Sequence, residues 1–266
     1  MDLGLDGKAC AITGASRGIG REVAKRLCAE GASVLLVARS ADSLAEAARE
    51  CGLAGGRAEP LALDVTEPDA GEQIVGAAES SFGQLDVLVN NAGTARWRPL
   101  DEVPDGDWQK AWELNVMAPL RAMRAAAPPM AERGWGRIVN VSSTAGKRPS
   151  ASMPEYSVAK AAELSLSRLF ADRYAGDGVL VNAVCPGPTK SELWMAEGGL
   201  LDQSKQVGGH QSRDEALEVS GAKRPIGRLA EVGEVAAAIV FLCSERASYV
   251  AGAAWSVDGG TVQVII

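Results

Sequence analysis

Ala9-Cys10-Ala11-Ile12-Thr13-Gly14-Ala15-Ser16-Arg17-Gly18-Ile19-Gly20 is a short apolar run that ends in a glycine-rich turn and passes straight into an alanine-rich, helically periodic stretch. Strand, turn and helix in that order open a βαβ unit. Glycine in the turn lets the backbone bend tightly and approach a pyrophosphate resting on the positive end of the helix dipole. The spacing is TGxxxGxG, a loose match to the general dinucleotide fingerprint GxGxxG, so the reading leans on the flanking strand and helix. A ligand-free glycine-rich turn is the plain alternative. The same stretch contains Gly14-Ala15-Ser16-Arg17-Gly18, which fits the GxSxG nucleophile elbow of hydrolases. That reading needs a histidine base, and His210, the only histidine, lies in a polar glycine-rich stretch. An elbow on the first strand is also badly positioned.

Outward from the turn, short β-branched runs alternate with longer helical patterns, the signature of βαβ units and a parallel sheet. The pattern predicts strands over 9–13, 33–38, 59–64, 85–90, 137–142, 180–185 and 253–257. Helices are predicted over 19–30, 41–51, 67–82, 105–132, 154–175 and 231–244. The expected fold class is α/β: a doubly wound parallel sheet of about seven strands with helices on both faces and ligands outside the carboxyl ends of the strands. Residues 1–266 read as a single dinucleotide-binding and catalytic domain. One region, 186–228, is glycine-rich, irregular and long for a connection, and 189–223 is expected to be a substrate lid.

A hydrophobic content of 47% with 5% aromatic residues describes an ordinary core, and a net charge of −7 without a basic block argues against nucleic acid or an anionic membrane as partner. No apolar run approaches a membrane span, and the start of the chain has no signal pattern. The five cysteines, Cys10, Cys28, Cys51, Cys185 and Cys243, are scattered and read as reduced core thiols of a cytoplasmic protein. No metal-ligand spacing is present. Asn140-Val141-Ser142 matches a glycosylation sequon but lies in an apolar run and is set aside.

The catalytic candidates are few. Tyr156 and Lys160 stand four residues apart on a predicted helix, thirteen residues after Ser143. A phenol is a poor acid or base at neutral pH, its reference pKa being about 10. A catalytic tyrosine therefore needs a fixed cation nearby, and a lysine at i+4 shares its face.

Taken together, TGASRGIG at 13–20, Asn90-Asn91-Ala92-Gly93, Asn115, Ser143, Tyr156-Ser157-Val158-Ala159-Lys160 and Pro186-Gly187 resemble the short-chain dehydrogenase/reductase family, over about residues 5–260. Members similar to 3-oxoacyl-carrier-protein reductases are included in the resemblance. It implies a single-domain Rossmann-type subunit, a homotetramer or homodimer, that moves hydride between a nicotinamide and a carbonyl or alcohol carbon. Carried over residue by residue, it implies Tyr156 as proton donor in reduction and base in oxidation, and Lys160 lowering its pKa and holding the ribose hydroxyls. Ser143 would bond the substrate oxygen, and Asn115 would hold a water linking Lys160 to solvent. Ser142 points the other way from the strand end and reads as structural. Cofactor contacts are implied at Gly14, Ser16, Arg17, Gly18, Ile19 and Gly20, at Arg39 and Ser40, and at Asp64 and Val65. Asn91, Ala92, Gly93, Tyr156, Lys160, Pro186, Gly187, Thr189 and Ser191 complete that set. Asp64 would accept from the adenine amino group, with turn or cap roles as the alternative for Asp64 and Asn91. Ser191 stands where the family commonly has threonine.

Charge argues the choice of cofactor. Enzymes using NAD carry an acidic residue at the end of the second strand, and here the position is Ala38, followed by Arg39 and Ser40. With Arg17 close by, two guanidinium groups favour the 2′-phosphate of NADP(H) over NAD(H). Trp97, Pro149 to Met153, Leu193-Trp194-Met195 and Leu200-Leu201 are the candidate pocket walls and suggest a small, largely apolar carbonyl or alcohol substrate; the apolar lid residues could equally be a subunit contact. A 3-oxoacyl thioester on an acidic carrier is the alternative, for which Arg133 and the end of the catalytic helix, Asp172-Arg173-Tyr174-Ala175-Gly176-Asp177, supply little basic surface. A non-catalytic dinucleotide-binding protein is the remaining reading, against which the retention of Asn115, Ser143, Tyr156 and Lys160 argues.

Overall fold

The computed structural model describes residues 2–263; Met1 and 264–266, counted within the expected domain, lie outside that range. Seven strands form one sheet in the order β3-β2-β1-β4-β5-β6-β7, with every pairing parallel. They are β1 Ala9–Thr13, β2 Ser33–Ala38, β3 Arg57–Ala62, β4 Val87–Asn90, β5 Gly136–Val141, β6 Val179–Pro186 and β7 Ala254–Val257. The helices are α1 Gly18–Ala29, α2 Ala41–Leu53, α3 Ala70–Phe82, α4 Asp105–Trp112, α5 Ala118–Glu132, α6 Thr144–Lys147 and α7 Pro154–Tyr174. They continue with α8 Glu192–Met195, α9 Leu200–Gly208, α10 Arg213–Ala222 and α11 Val232–Leu242. No helix among the described residues is long and apolar enough to cross a membrane.

Alternation along the strands divides the core. Cys10, Ile12, Val34 and Leu36 pack against α1, α2 and α11, while Ala11, Leu35 and Val37 pack against α3 and α5. The strand order reverses between β1 and β4, and such a reversal opens a crevice at the carboxyl ends of the strands.

Three expectations need correction. The third strand starts two residues earlier than predicted and ends at Ala62, so that Asp64 stands beyond the strand. The helix predicted over 105–132 is interrupted by a π-helical turn, Glu113–Met117, which holds Asn115. Pro119 explains it, because its ring crowds the Asn115 carbonyl and it has no N–H to offer it, and widening the helix relieves both. The region 186–228, read as irregular, contains α8, α9 and α10. These helices have only 4, 9 and 10 residues, too short to carry a clear period in the sequence.

Buried polar side chains tie the sheet to α7. Asn90 Nδ2 donates to Asn140 Oδ1 at 2.8 Å, Asn140 Nδ2 donates to Ser167 Oγ at 2.8 Å, and Ser167 Oγ donates to the Glu163 carbonyl at 2.9 Å. The glycosylation-like Asn140 is thus fully buried. Asn140→Ala should orphan the Asn90 amide and cost about 2–4 kcal/mol. Urea unfolding measures it, and a midpoint indistinguishable from the parent would show that the chain of amides is not structural.

Candidate active site

The crevice between β1 and β4 is fastened by Thr13. Its Oγ1 accepts the backbone N–H of Asn91 at 2.9 Å and of Ala92 at 3.0 Å. Asn91 Nδ2 returns to the carbonyls of Thr13 at 2.9 Å and Gly14 at 3.2 Å. Two segments distant in sequence are thereby held edge to edge, and the glycines between them have no room for a side chain. Gly14 sits at φ +67° and Gly18 at φ +58°, a region that favours glycine. A Cβ on Gly20 would lie 2.5 Å from both Asn91 Nδ2 and the Gly14 oxygen.

Around this turn opens a cleft of about 780 Å³, within the range of ligand sites. Gly14, Ser16, Arg17, Gly18 and Ile19 line it from β1 and α1, and Arg39, Ser40, Asp64 and Val65 from the ends of β2 and β3. Asn91, Ala92 and Gly93 form the floor, Tyr156 and Lys160 one wall, and Pro186, Gly187, Thr189 and Ser191 the far side. Gly20 stays beneath the turn, and Asn115 and Ser143 are not among the lining residues.

Several of these groups already have local partners. Asp64 Oδ1 accepts the N–H and hydroxyl of Thr66 at 3.0 and 2.8 Å; these bonds hold its pKa below the usual carboxylate range, and the charge of Arg39 adds to them. Ser40 Oγ caps α2 by accepting the Ser43 N–H. Ser143 Oγ caps α6 by accepting the Ala145 N–H at 3.0 Å. Thr189 Oγ1 donates to the Gly187 carbonyl at 2.9 Å. Arg17 and Arg39 are exposed and, among the described residues, form no ion pair. The Glu192 carboxylate of α8 hangs over the turn, 3.1 Å from where a Gly18 Cβ would be, so an acidic group already faces the amino terminus of α1.

At the catalytic end, Lys160 is 2% exposed. Its Nζ donates to the Val141 carbonyl at 2.8 Å and to Glu163 Oε2 at 2.9 Å, and lies 5.9 Å from the centroid of the Tyr156 ring. Ser142 Oγ donates to the Lys160 carbonyl at 3.0 Å, the structural position expected of it. Burial pushes the Tyr156 phenol up, and the pull of Lys160 and of the Ser143 hydroxyl does not overcome it. Lys160 acts on this pKa in the direction the resemblance implies, downward, while burial outweighs it and leaves the net shift upward. Asn115 Nδ2 donates to the Ala111 carbonyl at 2.9 Å, while its Oδ1 is buried without a partner. A Cβ on Gly93 would lie 3.2 Å from that oxygen and 3.8 Å from Lys160 Nζ, so glycine leaves the space between them open.

The glycine cradle and the open end of β2 fit a dinucleotide, and a phenol with a fixed cation fits proton transfer at a carbonyl oxygen. Sequence reading missed Thr13 as the clasp and Glu163 as the partner of Lys160; the i+3 spacing of Lys160 and Glu163 was the available signal.

Comparisons with known proteins agree. The chain matches the short chain dehydrogenase family model over residues 8–198. It is 39% identical over 256 residues to the cis-4-hydroxycyclohexanecarboxylate dehydrogenase of Sinomonas cyclohexanicum, covering 95% of this chain and 96% of the relative. It is 33% identical over 262 residues to the 3-oxoacyl-acyl-carrier-protein reductase of Vibrio cholerae serotype O1, covering 98% and 100%. The crystal structure of L-sorbose reductase from Gluconobacter frateurii, complexed with NADPH and L-sorbose, superposes with a TM-score of 0.92 at 38% identity, covering 100% of both chains. The fold and site are those of an oxidoreductase acting on alcohol and ketone groups. The chain belongs to the short-chain dehydrogenase/reductase family.

The crowding at Gly20 makes a prediction. Gly20→Ala should open the turn and weaken dinucleotide binding about ten-fold or more, roughly 1.4 kcal/mol. Gly76→Ala, whose Cβ would meet nothing within 4 Å, is the control. Fluorescence titration with NADPH reads both, and equal affinities would show that the turn does not cradle the ligand.

Proposed function

We propose that the protein is an NADP(H)-dependent carbonyl reductase or secondary-alcohol dehydrogenase for a small, largely apolar substrate. The observation that carries this reading is the joining of the glycine-rich turn and the Tyr156–Lys160 pair in one cleft. The nicotinamide, when bound, supplies or accepts the hydride at the substrate carbon. The chain's own part is the proton. In reduction, Tyr156 gives its phenolic proton to the carbonyl oxygen; in oxidation, the phenolate takes it from the alcohol. A raised pKa keeps the phenol protonated near neutrality, so reduction is favoured there and oxidation gains as the pH rises toward the phenol's pKa. Lys160 stabilises the phenolate and holds the ribose hydroxyls, Ser143 orients the substrate oxygen, and Asn115 holds a water whose link reaches Lys160. The unpartnered Oδ1 of Asn115 beside Gly93 supports that last role.

NADP(H) over NAD(H) is supported by Ala38 in the acidic position and by the free guanidinium groups of Arg17 and Arg39 on the same rim. An apolar substrate is supported by Ala95, Met153, Leu193, Trp194 and Leu200, which wall the catalytic end. Residues 189–223 act as its lid. A pyrophosphate on the amino terminus of α1 would repel Glu192, so binding would move α8. The thioester alternative draws on the carrier-protein reductase relative, yet the arginines at the end of α7 are already paired, Arg168 with Asp172 and Arg173 with Asp177. That face offers an acidic carrier no net positive charge. The five buried free thiols fit a cytoplasmic setting, and exposed Val158 and Leu169 on α7 supply apolar surface for a homodimer or homotetramer.

Tyr156→Phe should cut turnover by about 10²- to 10⁴-fold with NADPH affinity kept. The assay is NADPH absorbance with a panel of ketones and secondary alcohols, acyl thioesters included; turnover within a few-fold of the parent sinks the assignment. Arg39→Asp should raise the KM for NADPH about ten-fold or more and leave that for NADH little changed, because a charge-assisted bond is worth about 1.5–3 kcal/mol. Parallel changes in the two KM values would make Arg39 structural.

A further inference from the structure

A lysine ammonium stripped of water is costly and tends to shed its proton unless a counter-ion accompanies it. Lys160 is 2% exposed and meets one: Glu163, one helical turn on and itself 1% exposed, brings Oε2 to 2.9 Å from Nζ. An ammonium has three donors. The Val141 carbonyl takes one and Glu163 a second, which leaves one for the cleft that Lys160 lines. Glu163 is in turn fixed through its own carbonyl by Ser167, the last member of the Asn90–Asn140–Ser167 chain.

We propose that Glu163 is the positioning residue and counter-ion of Lys160, keeping it charged and aimed at the cleft while Tyr156 transfers its proton. The inference rests on the Tyr156–Lys160 reading above. Its surroundings isolate the pair. From α7 the titratable neighbour is Tyr156; β6 contributes the Cys185 thiol, with Lys147 of α6 acting on that thiol; β5 contributes the Val141 carbonyl and the residue after it the Ser142 hydroxyl, neither of which titrates. The small cavity beside Glu163, walled by Thr13 of β1, Asn90 of β4, Ile74 of α3, Leu114 of the π turn and Ala118 of α5, holds no second titratable group. Burial pushes the Lys160 pKa down, and Glu163 with Tyr156 turns the balance upward. A group so raised keeps its charge until the pH climbs through the raised value. Without Glu163 the charge is lost at lower pH.

The test is kcat/KM for alcohol oxidation against pH. The parent enzyme should rise to an alkaline plateau, whereas Glu163→Gln should acquire a descending limb about one pH unit or more below any shown by the parent. Glu163→Asp, which keeps the charge, should keep the parental shape. A Glu163→Gln profile scaled down without change of shape, or the same new limb in both variants, overturns the proposal. Thermal unfolding supplies a readout independent of activity: Glu163→Gln and Lys160→Met should each lower Tm, and the double variant should regain most of the loss. Additive losses overturn the pairing, and so does a double variant that fails to fold. If the parent oxidises no alcohol, or Tyr156→Phe leaves turnover intact, the underlying reading fails; a working parent with an unaltered Glu163→Gln profile removes the counter-ion alone.

Discussion

The hydroxyl of Thr13 clasps the sheet where its strand order reverses. At that point β1 and β4 send their chains to opposite faces, and the crevice between them would vary in width without a cross-tie. Thr13 Oγ1 accepts two successive N–H groups of the loop after β4, and Asn91 answers with its side-chain amide on the two carbonyls at the end of β1. The four bonds set the distance between the two loops, and that distance forbids a Cβ at Gly14 or Gly20. Glycine here serves close approach as much as backbone conformation, since Gly20 has an ordinary φ and is excluded from carrying a side chain by contact alone.

The catalytic half depends on how charge is balanced without water. At 5.9 Å from the ring of Tyr156, the Lys160 ammonium is worth roughly 3 kcal/mol to a phenolate at an effective dielectric constant of about 20. Burial of the phenol outweighs that attraction and sets the upward sign of the Tyr156 shift. Glu163 adds to it: it holds Lys160 charged and also opposes the effect of that charge on Tyr156. The pair therefore trades some strength of field for permanence of charge. On the reading proposed above, a phenol left protonated at rest is the acid that reduction would use.

What the sequence disclosed and what it withheld follow from the range of the forces involved. The seven strands and six main helices were legible because alternation and helical period are local, and the glycine turn because glycine is demanded by the backbone itself. The residues lining the cleft were legible through family motifs. The π turn was not, since it answers to Pro119 four residues on and to packing against α7, neither of which changes the periodic pattern. Glu163 was passed over because a charged residue at i+3 on a long helix ordinarily faces solvent; only the depth to which α7 is sunk against β5 turns it into a partner. Thr13 looked like the last residue of a strand.

The roof of the cleft follows a different logic. Helices as short as α8, α9 and α10 are marginal on their own, and they persist because Trp194, Leu200, Leu201, Ala216 and Leu229 form a core of their own against Trp97 and Met153. Polar ties complete it: Gln203 accepts the Trp97 N–H at 2.8 Å, and Arg213 Nη1 reaches both carboxylate oxygens of Asp202 at 2.9 and 2.7 Å. Such a roof presents mostly apolar groups to the catalytic end. Apolar walls separate substrates that differ by a methylene by only about 1–3 kcal/mol. Discrimination by hydrogen bonding would need a fixed polar group on the roof, and Leu193, Trp194 and Leu200 offer the cleft little of that kind. On the reading proposed above, a site built this way would select by shape among ketones, and the Tyr156–Lys160 pair, indifferent to what lies beyond the carbonyl, would serve each of them alike.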